Sequence, residues 1–176
     1  MDEIIGSSMS KVLVIVGNDY EERELWGPVL RLREDGEVKF VGAEKNVVYT
    51  GYAGVDVTSD YAFADVNVAE FDALVAPGGW YPDSYRVIPE CKKMIQDFKA
   101  AGKTIGFICH GGWLGISAGV LKGVKLTSNP NIRDDFENAG ATWVNESVVI
   151  DGQFVTSQSP DTVPAFCKAL VEVLAK

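Results

Sequence analysis

The sequence is poor in the residues that build most metal and two-base sites. It holds one histidine, His110, and three cysteines, Cys91, Cys109 and Cys167. A site needing two histidines cannot be assembled within one chain, and the scattered cysteines make no CxxC pair and no zinc pattern. No metal and no cofactor is therefore expected. Basic residues are short as well: 16 Lys and Arg against 25 Asp and Glu give a net charge of −9 and a pI near 4.6. Nucleic acid and anionic membranes both demand a clustered basic face, so neither is an expected partner. No apolar run approaches membrane-spanning length, and residues 1–10 carry acid where a signal peptide needs a positive start. Few cysteines, odd in number, fit a reducing compartment. These features predict a cytoplasmic protein with a leader over residues 1–10 and one domain over 11–176.

What is present describes a folded globular chain, with 47% hydrophobic and only 23% charged residues. Residues 11–16 (KVLVIV) are nearly all apolar after the lysine, as a strand buried on both faces of a parallel sheet reads. A helical pattern follows through Leu25, Trp26, Val29, Leu30 and Leu32, with Gly36 expected to close it as a C′ glycine. Strands are predicted at 38–41, 72–76 and 104–108, short ones at 124–127 and 142–144, and a small β-excursion over 46–61. Helices are predicted over 90–101, from Gly112 to Ala118, over 131–138 and over 164–175, with a hairpin turning at Asp151-Gly152. Strands alternating with helices predict an α/β, flavodoxin-like, doubly wound sheet that is mostly parallel, with helices on both faces.

In such sheets ligands bind past the carboxyl ends of the strands, where the strand order reverses. Three predicted strand ends carry polar or glycine-rich runs: Asn18-Asp19-Tyr20-Glu21-Glu22, Pro77-Gly78-Gly79-Trp80-Tyr81 and Cys109-His110-Gly111-Gly112-Trp113. The only histidine thus falls beside one of the three cysteines. Cys109 occupies a strand–turn–helix position matching a nucleophile elbow. The helix N-terminus after it is expected to lower its thiol pKa, and Gly106, Gly111 and Gly112 to give it room. Amides of Gly78, Gly79 and His110 are natural oxyanion donors. Cys91 and Cys167 lie in helical patterns without polar company and read as packing residues. A carboxyl from the first strand end could face the sulfur and stay protonated there. The residues alone leave Glu21 and Glu22 as alternatives, with Glu24 read as solvent-facing.

Ile108-Cys109-His110-Gly111 followed by Leu114 and by residues 116–121 (ISAGVL) resembles the ICHG…LISAGVL segment of the PfpI-type intracellular proteases. These belong to the ThiJ/PfpI group of the class I glutamine-amidotransferase-like superfamily. The resemblance extends to residues 19–25, to residues 71–79 (FDALVAPGG), and to Asp134-Asp135 with residues 138–144 (NAGATWV). It implies Cys109 as nucleophile, Glu21 as the acid facing it, and His110 as the family histidine. It further implies a homo-oligomer, dimer or hexamer, whose neighbouring subunit supplies the acid that follows the PGG turn, here Asp83. Where the family has proline after CHG, this chain has Gly112-Trp113, and with Trp80 and Gly111 these are expected to shape the pocket. Where the family carries arginine before the last helix, this chain reads Ser157-Gln158-Ser159-Pro160.

The expected function is a cysteine-dependent hydrolase of peptidase or amidase type. Two alternatives remain. One is a glyoxalase III-like conversion of methylglyoxal to lactate. The other is a redox-sensing or chaperone-like stress protein that oxidises an exposed, low-pKa Cys109.

Overall fold

A computed structural model describes residues 9–176. Most of the expected leader lies outside the described residues, while Ser10 already belongs to the first strand. In chain order the elements are β1 (Ser10–Ile15), α1 (Glu22–Leu32), β2 (Gly36–Gly42), β3 (Val48–Thr50), β4 (Asp56–Thr58), β5 (Tyr61–Ala62) and β6 (Ala73–Ala76). There follow α2 (Tyr81–Tyr85), α3 (Pro89–Ala100), β7 (Thr104–Ile108), α4 (Trp113–Ala118) and β8 (Lys125–Leu126). The chain ends with α5 (Arg133–Asn138), β9 (Thr142–Trp143), β10 (Val148–Asp151), β11 (Phe154–Ser157) and α6 (Val163–Leu174).

Seven strands form one sheet in the order β10-β11-β7-β6-β1-β2-β5, parallel throughout except for the β10–β11 hairpin. This is the flavodoxin-like α/β fold. The central strands read as continuous apolar runs because both faces are covered: Val12 to Ile15 and Ala73 to Ala76 are all buried. The crossover from β1 runs one way to β2, and those from β6 and β7 run the other way. With right-handed crossovers this places α1 and α6 on one face and α3 and α4 on the other. Close packing fixes small residues under the helices: a side chain at Gly106 of β7 would meet Phe166 at 3.0 Å and Leu170 at 3.1 Å on α6.

One predicted helix end differs. Gly36 does not cap α1, which ends at Leu32 with Arg33 still right-handed. Gly36 instead opens β2 and pairs with Ser10, where a Cβ would strike the Ser10 carbonyl oxygen. The glycine is required by strand–strand approach and not by a left-handed turn. Gly102, at φ +67, supplies the left-handed turn after α3. The predicted helix over 131–138 divides into a 3-10 turn, Pro130–Ile132, and α5.

The order reverses between β1 and β6, so the crevice opens past their carboxyl ends, with the end of β7 alongside. The β3–β4 hairpin, the predicted excursion, is tied to this edge by Asp19 N–H to Thr50 O (2.9 Å) and Tyr52 N–H to Tyr20 O (2.9 Å). Among the described residues no helix is long and apolar enough to cross a membrane.

Candidate active site

Cys109 follows β7 directly and holds φ at +60, a left-handed conformation that a non-glycine residue adopts at a cost. Two backbone bonds keep it there: its N–H donates to Ser157 O (3.0 Å) on β11, and its carbonyl accepts from Asn129 N–H (3.3 Å). Gly111 completes the turn by donating to Ile108 O (2.9 Å). A side chain at Gly111 would collide with the carbonyls of Ala76 and Pro77, so only glycine lets β7 turn this tightly against the end of β6.

The sulfur sits among four polar groups. His110 Nδ1 is 3.2 Å away and Asn129 Nδ2 is 3.6 Å away. His110 N–H faces the sulfur, and the Glu24 carboxyl lies against it. The acid at the sulfur is therefore Glu24 and not Glu21. Glu21 is the N-cap of α1: its Oε2 accepts Glu24 N–H (2.9 Å) and its Oε1 pairs with Arg23 (2.7 Å). Glu22 points elsewhere, accepting Ala53 N–H (2.7 Å) in the hairpin. Glu24 is fully buried because it shares a helix face with Leu25, Pro28, Val29 and Leu32. That i, i+1, i+4, i+5, i+8 stripe was the signal available in the sequence.

Glu24 Oε1 accepts Gly78 N–H (2.9 Å), and Oε2 is buried with no hydrogen-bond partner. Burial, and secondly the charge on Glu21, push the Glu24 pKa up to about 8, against the contacts with Cys109, Gly78 and Arg23. The carboxyl is thus mostly neutral at pH 7. Cys109 is only 8% exposed. Burial and the neighbouring Glu24 push its thiol up to about 12, with Asn129 and the His110 amide opposing. This overturns the expected lowering: a turn separates Cys109 from α4, which has only six residues. The resting sulfur is a thiol, and its proton needs an acceptor. Burial lowers the His110 pKa and so favours the neutral ring, in which Nδ1 is the acceptor when Nε2 carries the proton.

The three strand ends do meet. Glu21 N–H donates to Gly78 O (3.1 Å) and Trp80 N–H to Asp19 O (2.8 Å), joining the ends of β1 and β6. Gly78 N–H is committed to Glu24, which removes it from the expected oxyanion donors. Gly79, at φ +101, and His110 bond no backbone oxygen through their N–H groups among the described residues. The His110 ring lies between Trp80 (5.2 Å) and Trp113 (5.0 Å), and Trp113 Nε1 donates to Asp135 Oδ2 (2.9 Å). Beside them a groove of about 420 Å³ is lined by Asn18, Asp19, Tyr49, Trp80, Asp83 and Trp113. Gly111 and Gly112 are buried beneath it and do not line it; a side chain at Gly112 would meet Phe136 at 2.6 Å. A second hollow of about 630 Å³ borders Leu32, Val171 and Lys176, at the opposite end of the sheet from these residues.

Asp83, in the first turn of α2, is exposed and makes no side-chain hydrogen bond to His110 within the chain. Asn129 is the contact that the sequence analysis missed, since a lone Asn before proline reads as a turn residue. Cys91 is buried in α3 and pushed up to about 12 by that burial, while Cys167 is half-buried on α6.

Known proteins resemble this chain over nearly its whole length. The chain is 40% identical over 164 residues to the deglycase PfpI of Pyrococcus furiosus, covering 93% of this chain and 99% of the relative. It is 38% identical over 167 residues to protein/nucleic acid deglycase 2 of Escherichia coli K12, covering 93% and 97%. The crystal structure of Drosophila melanogaster DJ-1beta superposes with a TM-score of 0.88 at 26% identity, over 95% of this chain and 91% of that one. The model of the DJ-1/PfpI family matches residues 10–173, and the chain belongs to that family.

Proposed function

We propose that the protein is a cysteine-dependent hydrolase of the deglycase type, freeing an amine from the adduct it forms with a small dicarbonyl such as methylglyoxal. The observation that carries this reading is Cys109 held at φ +60 past β7 with its sulfur 3.2 Å from His110 Nδ1. The relatives named deglycases support it.

In the first step the carbinolamine C–N bond breaks, its hydroxyl proton passing to the departing amine, and Sγ bonds to the aldehyde carbon so exposed as the C=O π pair moves to oxygen. The thiol proton passes to His110 Nδ1. Gly79 and His110 N–H groups hold the oxyanion, and neutral Glu24 adds no charge beside it. In that adduct a hydride equivalent moves from the sulfur-bearing carbon to the neighbouring carbonyl carbon, and one water hydrolyses the resulting thioester to a 2-hydroxy acid, freeing Sγ as the thiol. The net change is a 2-oxo carbinolamine plus water to a 2-hydroxy acid plus the amine. No external oxidant is needed, because the carbonyl and carbinol carbons exchange a hydride equivalent within the adduct. His110 Nε2 would be oriented by Asp83 of a second copy, making the site one shared within a homo-oligomer.

The oxidation-sensing alternative needs an exposed thiol of low pKa, and Cys109 is neither exposed nor low. The test supplies purified protein with methylglyoxal-treated Nα-acetyl-lysine, with methylglyoxal alone and with a fluorogenic peptide. Release of acetyl-lysine with stoichiometric lactate is expected from the first. Turnover confined to free methylglyoxal or to the peptide would replace the deglycase reading by the glyoxalase or peptidase one.

A further inference from the structure

One polar contact on the Cys109 sulfur has no part in the chemistry above. Asn129 stands half-buried between β8 and the 3-10 turn Pro130–Ile132. Its Oδ1 accepts Asn131 N–H at 2.9 Å, capping that turn. An amide carries its acceptor and its donors on opposite arms, so committing the oxygen to the cap fixes which arm faces the site. The remaining arm, Nδ2, is 3.6 Å from Cys109 Sγ. The residue is pinned a second time by its own N–H, which donates to the Cys109 carbonyl. A capping role accounts for the oxygen, yet it gives no reason for the donor arm to rest on sulfur.

We propose that Asn129 stabilises the thiolate at this site, its Nδ2–H donating to Cys109 Sγ as the thiol proton leaves for His110. The proposal rests on the reading of Cys109 as nucleophile and extends it. The titratable groups around the sulfur are Glu24 from α1 and His110 from the same turn, with Asp135 of α5 behind Trp113. Glu24 carries its proton only below about 8. The Asn129 amide does not titrate, so it is the side-chain donor that persists across the working pH range. It holds negative charge on sulfur for the interval between proton loss and bond formation, when charge moves on to the substrate oxygen.

The test is the pH profile of Cys109 alkylation by iodoacetamide in the full chain, read at Cys109 by peptide mapping. Asn129→Ser and Asn129→Asp both retain a good capping oxygen and remove the amide donor. Loss of one hydrogen bond to a charged sulfur should raise the Cys109 midpoint by about one pKa unit in Asn129→Ser. The thiolate fraction then falls about tenfold, and the greater nucleophilicity of the more basic sulfur offsets part of this, leaving alkylation about three- to fourfold slower. Asn129→Asp should shift the midpoint further, since it adds a carboxylate. Profiles unchanged in both variants would overturn the proposal, because that is what capping alone predicts. If circular dichroism shows either variant unfolded, the side-chain amide resonance of Asn129 in the parent protein decides. It must move when Cys109 is alkylated, and an unmoved resonance refutes the contact. Iodoacetamide needs no substrate binding, so this result stands apart from the amine-release assay that tests the proposed function.

Discussion

Glu24→Gln should make the protein more stable, increasingly so as pH rises from 5 to 9. Glu24 is an acid whose pKa moves from an ordinary 4.5 to about 8 on folding. Between those values the native state holds a proton that the unfolded chain has released, so native stability declines with rising pH. The contribution is intact below 4.5 and is lost as pH climbs through about 8. At 1.36 kcal/mol per pKa unit the full loss is about 5 kcal/mol. Because the group is fully buried, little of this is screened by solvent. Glutamine keeps an oxygen for Gly78 N–H and places an NH2 group where Oε2 lacks a partner. For a domain of this size each kcal/mol is worth about 2–4 °C in Tm, so the variant should exceed the parent by about 10 °C or more at pH 9. At pH 5 the two should nearly coincide. The assay is calorimetry or circular dichroism melting of both proteins across that range. Parallel curves, with the same gap at pH 5 and pH 9, would refute the assignment of a buried, neutral carboxyl.

Other consequences follow from the same geometry. Turnover should fall as pH rises through about 8, because an ionised Glu24 opposes charge on sulfur; a pH–rate profile flat to pH 9 contradicts this. Glu21→Ala should cost about 1 kcal/mol through loss of the helix cap while leaving Cys109 alkylation nearly unchanged, read by denaturant melts beside peptide mapping. Were Glu21→Ala to alter alkylation as much as Glu24→Gln does, the placement of Glu24 at the sulfur would be wrong. If Asp83 serves a neighbouring copy, inactive Asp83→Ala and inactive Cys109→Ala proteins should regain activity when mixed and allowed to exchange subunits; a mixture that stays inactive despite proven exchange denies the shared site.

The sheet was legible because its central strands are buried on both faces. Residues 12–15 and 73–76 are unbroken apolar runs that fit few other settings. The strand-end rule then brought residues 18–22, 77–81 and 109–113 to one edge, where bonds among Asp19, Glu21, Gly78 and Trp80 join the first two and the Trp80–His110 ring contact joins the third. Tertiary context decided the rest. Glu24 was misread because an acid is ordinarily assumed to face water, although its spacing put it on the buried stripe of α1. Gly36 was misread because a glycine after a helix usually supplies a left-handed turn, whereas here a neighbouring strand leaves no space for a side chain. The thiol pKa depended on burial and on a carboxyl distant in sequence, neither of which a local motif encodes. Asn129 was reached only through a fold that returns the chain past β8 to the end of β7.

The central claim is that Cys109 is the nucleophile for carbonyl chemistry at this site. It is tested most directly by the rate of amine release from methylglyoxal-treated acetyl-lysine in Cys109→Ser against the parent protein. With fold and oligomeric state matched, loss of the nucleophile should lower the rate by about a hundredfold or more. A Cys109→Ser protein that releases amine at the parental rate would contradict the account.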